Sequence, residues 1–161
     1  MLKIIANSTP LIALNKIGKL DLLKQMYREI IIPYAVYEEV ILESSIKESN
    51  DFIKESGFIN IMKIKNEEAK RLFVTSLHKG EVMILAKEIE ADLCIIDDLL
   101  ARRYAKYYNL NITGTIGLAL KSKEQGIISE VRPIMDELID SGIYIDPKLY
   151  NRVIEIACEK Y

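Results

Sequence analysis

Acidic, amide and hydroxyl side chains that follow short apolar runs are the residues best suited to chemistry in this chain. Asn7, Ser8 and Thr9 come directly after KIIA, and Asp97 and Asp98 come directly after LCII. Oxygen donors at the end of a strand are hard ligands, which suit Mg²⁺-type cations and the phosphates such cations hold. Part of the pattern has a local account, because Asp98 can cap the helix that follows for about 1 kcal/mol. A cap needs one acid, however, and two stand there. Glu38 and Glu39 lie in PYAVYEEVIL and flank opposite edges of an apolar stripe formed by Val36, Tyr37, Val40 and Ile41. Periodicity leaves open which of them faces the sheet, and both can be solvated helix charges. Glu81 opens GEVMILAKEIEA; an acid in a first helical turn either complements the helix dipole or belongs to the same acidic site.

Cations come second. Arg102 and Arg103, with Lys79, Lys121 and Lys123, are candidates for a phosphate backbone, since arginine forks match phosphate oxygens. Arg102 also stands four residues after Asp98, where it can pair with that acid. Tyr104, Tyr107 and Tyr108 offer faces for base stacking, although the same spacing suits a core or a dimer interface. Other chemistries are excluded by absence. The single histidine, His78, placed in the turn before Gly80, rules out a two-histidine ribonuclease. No GxSxG elbow or GxxxxGK[ST] loop occurs, and GTIG at 114–117 lacks the spacing of a dinucleotide fingerprint. Cys94 and Cys158 have no paired spacing and read as core thiols of a reduced protein.

These residues need elements to position them. Strands are predicted at 3–6, 29–32, 58–62, 92–96 and 110–113, alternating with segments of helical period. That alternation predicts an α/β domain with a mainly parallel sheet. The first helix is expected to start with Thr9 as N-cap and Pro10 in the first helical position. Further helices are expected over 19–26, from Pro33 onward, and over 66–77, 80–91, 98–108, 115–125, 129–140 and 147–160, with 43–51 as the most loop-like stretch. In an open parallel sheet, ligands bind beyond the carboxyl ends of strands where strand order reverses. If the first and fourth strands are neighbours, Asn7-Ser8-Thr9 and Asp97-Asp98 meet.

The whole chain bounds these readings. Its 161 residues suit one domain, and 50% hydrophobic with 29% charged residues argues for a packed core rather than disorder. Lys+Arg 22 against Asp+Glu 24 gives a formal charge of −2, so any nucleic-acid contact must be local. No leader-like or membrane-length apolar run appears, and a cytoplasmic location is expected.

Four segments in register, NSTPLIALNKIG, IPYAVYEEV, GEVMILA and IIDDLLARRYA with NITGTIGLAL, resemble the PIN-domain nucleases. The Ser-x-Pro-Leu-Ile-x-Leu opening and the Asp-Asp-x-x-Ala-Arg block are similar to a prokaryotic branch of that family. The resemblance implies a three-layer α/β/α fold with a central, mainly parallel sheet of four to five strands and extra C-terminal helices. The region around Ile127 to Ser129 is expected to part a PIN-like catalytic region over 1–126 from a helical extension over 127–161 packed on the same domain. The resemblance implies hydrolysis of single-stranded RNA with Mg²⁺ or Mn²⁺, and, as for many relatives, a toxin paired with a small antitoxin; a homodimer is also expected. Position by position, the family acids fall on Asn7, Glu39, Glu81 and Asp98, with Asp97 beside the last, which resolves the Glu38/Glu39 pair in favour of Glu39. Asn7, Glu39 and Asp98 are the implied metal ligands, and Ser8, Thr9, Arg102, Arg103 and Thr115 the implied substrate contacts. Two departures stand out: Asn7 occupies a position where active members commonly carry Asp, and Thr115 lies where a final acid is usual. An amide oxygen still ligates a hard cation but brings no charge. One ion therefore fits better than two, and a PIN fold that binds RNA or protein without cutting is the rival reading. A flavodoxin-like ligand-binding domain is a more distant one, since NSTPL offers only part of a phosphate loop.

Overall fold

The computed structural model describes residues 2–44, 51–67 and 77–159. Five strands, β1 (Ile4–Ala6), β2 (Ile30–Pro33), β3 (Ile59–Met62), β4 (Leu93–Ile95) and β5 (Ile112–Thr113), form one sheet in the order β3-β2-β1-β4-β5. Every pairing is parallel. Isoleucine-rich runs suit this arrangement, because a parallel strand is covered on both faces and needs no polar alternation. Ile4, Ile5, Ile30, Ile32 and Ile95 are accordingly buried. Among the described residues nine helices enclose the sheet: α1 (Ser8–Lys16), α2 (Asp21–Tyr27), α3 (Tyr34–Ser44), α4 (Phe52–Ser56), α5 (Leu77–Glu88), α6 (Leu99–Tyr107), α7 (Thr115–Glu124), α8 (Arg132–Asp140) and α9 (Pro147–Ile156). The result is a three-layer α/β/α domain.

Strand order reverses at β1. The chain moves outward through β2 and β3 on one side, then returns to lay β4 and β5 on the other. The crevice between the carboxyl ends of β1 and β4 is thus the switch point where such sheets take ligands. Register fixes which residues line it: Ala6 pairs with Ile95, and the Asn7 amide donates to the Ile95 carbonyl at 2.9 Å.

Several local expectations are corrected. Thr9 is not the first cap. Asn7 leaves β1 in extended conformation and caps α1 itself, accepting from the Ser8 amide at 2.9 Å, which leaves Thr9 exposed and Pro10 as the third helical residue. Proline fits there because amides of the first turn have no intrahelical acceptor. Helix α5 begins at Leu77, so His78 belongs to a helix rather than a turn. The short α4, capped by Asp51 and closed by left-handed Gly57, went unforeseen. The last helix stops at Ile156, since Cys158 adopts a positive φ of 58° and turns the chain. Cys158 is consequently exposed, whereas Cys94 is the core thiol expected. The helix expected over 66–77 and the loop over 43–51 fall largely outside the described residues.

The tail packs through its own cluster. Val131, Ile134, Met135, Leu138, Val153 and Ala157 close against Ala13, Leu22 and Ala119 of the earlier helices. No helix among the described residues is long and apolar enough to cross a membrane.

Candidate active site

The site is best built outward from β1. Asn7 and Ser8 are both 3% exposed, at the point where β1 gives way to α1. The Ser8 hydroxyl donates to Glu39 Oε2 at 2.7 Å, so α1 and α3 are joined directly at the sheet edge. Glu39 is half-buried while Glu38 is exposed. Val36 and Val40, both fully buried, fix that outcome: they turn the helix so that Glu39 reaches the crevice and Glu38 reaches solvent.

Glu81 reaches the same helix from α5. It is 4% exposed, and its Oε2 accepts from the Ala35 amide at 3.1 Å. Ala35 lies in the first turn of α3, where amides lack intrahelical acceptors and the dipole favours an anion. The first-turn place expected for Glu81 in its own helix is corrected: Glu81 is the fifth residue of α5, and the helix start that it meets is that of α3. Ala35 and Glu39 are four apart on one helical face. Glu81 thus meets α3 one turn before Glu39.

The second half of the site follows β4. Both acids cap helices, each a different one. Asp98 Oδ1 accepts from the Ala101 amide at 2.8 Å and caps α6. Asp97 accepts from the Thr115 amide at 2.7 Å through Oδ1, and from the Thr115 hydroxyl at 2.5 Å through Oδ2. It serves α7, whose own N-cap, Gly114, has no side chain to offer. This resolves the puzzle of the paired acids. Gly114 was not singled out from sequence, yet a Cβ there would meet Asp97 Oδ1 at 2.6 Å and Arg102 Nη1 at 3.0 Å. Only glycine lets that carboxylate and guanidinium close over the start of α7; a glycine-threonine pair opening a helix was the available signal.

Other expected residues fall elsewhere. Arg103 is exposed on the outer side of α6. Lys121 makes a solvent-exposed pair with Glu124 at 3.4 Å. Lys123 donates to the Ala157 carbonyl at 2.5 Å and to Glu159 at 3.1 Å, so it serves the C-terminal fold rather than a phosphate backbone. The side chain of Lys79 lies outside the described residues.

The donors at the crevice are carboxylate, amide and hydroxyl oxygens, a set that fits a hard divalent cation in kind. Among the described residues no three His, Cys, Asp or Glu side chains converge into a protein cage. Mg²⁺ rarely needs one: it keeps several waters and binds through one or two carboxylates with substrate phosphate. Residues 3–159 match a family model described as a PIN domain. No curated protein matches the chain.

Proposed function

The chain belongs to the PIN-domain family, whose members are in general nucleases, and from that membership we propose a divalent-cation-dependent endoribonuclease acting on single-stranded RNA. The observation that supports it most is the oxygen-donor edge at the β1–β4 switch point, with Asn7, Ser8 and Glu39 on one side and Asp97 and Asp98 on the other. Asn7, Glu39 and Asp98 would hold Mg²⁺ or Mn²⁺, which when bound supplies an activated water and offsets phosphate charge. The chain's own residues do the positioning. Ser8 holds the Glu39 carboxylate by a charge-assisted hydrogen bond. Glu81 secures the start of α3, and Asp97 with Thr115 secures the start of α7. Arg102, whose guanidinium lies close to Gly114, would meet a phosphate at this edge, and Thr9, exposed on α1, would be a further substrate contact. A toxin role with a small antitoxin, and a homodimer, are further parts of this proposal.

One observation favours a second reading. Asn7 is neutral at the position that opens the site, so an RNA- or protein-binding domain without cleavage is the alternative. Asp98→Asn separates the two. Asparagine caps helices as well as aspartate does, so the substitution removes charge while keeping the bond to Ala101 and the fold. Loss of Mg²⁺-dependent cleavage of unstructured RNA in this variant supports the enzyme. Wild-type protein that retains RNA in a gel but cuts none with Mg²⁺ or Mn²⁺ supports the binder. Full cleavage in the double change Asp97→Asn, Asp98→Asn would refute the acidic edge as the active site.

A further inference from the structure

Helix α6 carries a second apolar stripe, of which only Tyr108, at its end, packs against the core. Its inner face is supplied by the buried Ala101 and Ala105. Leu100, Arg103, Tyr104, Tyr107 and Tyr108 follow the i, i+3, i+4, i+7, i+8 rhythm of a helix face, and they line an open cup of about 310 Å³ on the surface. Leu100 is 50%, Tyr104 46% and Tyr107 80% exposed. Large apolar side chains gathered in one place on a surface mark an interaction site. The cup has built walls. The rings of Tyr107 and Tyr108 stand edge to face, 5.3 Å apart at 89°. Lys87 holds the second ring, with its ammonium 5.6 Å from the Tyr108 ring centre and donating to the Tyr108 carbonyl at 2.9 Å.

We propose that this cup is a base-stacking subsite for single-stranded RNA, placed to hold a nucleotide a few steps from the cleavage point. The proposal rests on the ribonuclease reading above and adds where the strand runs. Charge selects the occupant. Within Leu99–Tyr107 there are three cations, Arg102, Arg103 and Lys106, and no acid. A second copy docked isologously would set this basic helix against itself. A polyanion with aromatic faces matches both features, since base stacking on tyrosine combines with phosphate contacts from arginine. Location agrees. Asp98 caps the N-terminal end of the same helix. At about 1.5 Å per residue, Tyr104 and Tyr107 stand roughly 9–14 Å along the helix from it. A stacked strand covers that span in about three to four nucleotides at about 3.4 Å each.

The test is the affinity of the whole protein, in EDTA to prevent cleavage, for a fluorescent uridine oligomer and for an abasic ribose-phosphate oligomer of the same length. Tyr104→Ala and Tyr107→Ala remove exposed rings, and circular dichroism checks that each variant remains folded. Each is expected to weaken uridine-oligomer binding about tenfold, to leave abasic-oligomer binding unchanged, and to be rescued by Tyr→Phe at the same position. Wild-type affinity in both alanine variants would overturn the subsite while leaving the ribonuclease reading intact. Unchanged RNA affinity with a shift from dimer to monomer in sedimentation would assign the cup to a contact between copies instead. Failure of wild type to bind or cut any RNA would overturn the ribonuclease reading and this subsite with it.

Discussion

Asn7 is the residue on which the proposed chemistry turns. It is buried at 3% exposure, caps α1, and neighbours the Ser8–Glu39 bond. Aspartate has the same size and keeps the capping acceptor, so Asn7→Asp changes charge alone. A new carboxylate in an acidic, poorly hydrated crevice repels its neighbours and costs stability until a cation arrives. Without divalent ions the variant is expected to melt about 2–4 °C below wild type, for a cost of about 1 kcal/mol. Millimolar Mn²⁺ should raise its melting temperature by more than it raises that of wild type. Equal gains in thermal scans of the two proteins would show that Asn7 does not touch the ion.

At the scale of elements, two carboxylates, the buried Glu81 and the half-buried Glu159, each serve the start of a helix distant in sequence. Glu81 serves α3, and Glu81→Gln removes the charge that faces its dipole for about 1–2 kcal/mol in a buried setting. Hydrogen exchange should locate the loss in the first turn of α3, leaving β5 as protected as before; uniform loosening would contradict a local role. Glu159 serves α8. Its Oε2 accepts from the Val131 amide at 2.7 Å and its Oε1 from the Arg132 amide at 3.0 Å. Burial pushes this carboxyl up, but those amides and the Lys123 ammonium outweigh it and hold the group below its ordinary 4.5. A depressed carboxyl stabilises the fold fully above its unfolded value and loses that contribution as pH falls through the lower folded one. The stability gap between wild type and Glu159→Gln should therefore be full at neutral pH and close progressively below about pH 4.5. Urea midpoints across that range check it, and a gap that widens in acid would reverse the sign.

For the molecule as a whole, the formal charge of −2 limits how the proposed RNA substrate would be held. No global field attracts a polyanion, and Lys123 is occupied at the C-terminus, so in the proposed reading the three cations of α6 supply the phosphate contacts. Three cations neutralising three phosphates on a single strand give a slope of about −2 in log affinity against log salt. Anisotropy titrations at several salt concentrations measure it. A slope near −5 or steeper would place the strand on a basic surface other than α6.

Much of the architecture was legible from residue patterns. The five strands were placed within a residue or two, because isoleucine runs in a parallel sheet are buried on both faces and advertise themselves without reference to partners. The same runs placed Asn7-Ser8 and Asp97-Asp98 at strand ends, and the matching motifs pointed to the family that covers residues 3–159. Helix ends were less legible: Asn7 rather than Thr9 begins α1, and Cys158 escapes the core, since each outcome depends on one backbone rotation. The roles of the acids were decided only in three dimensions. Glu39 meets Ser8 across 31 positions, Glu81 meets Ala35 across 46, and Asp97 meets Thr115 across 18. Composition and periodicity report which face a side chain takes relative to its own helix or strand. A hydrogen bond is directional over about 3 Å, so its partner is set only when parallel strand pairing brings β1, β4 and the helix starts beyond them to one edge.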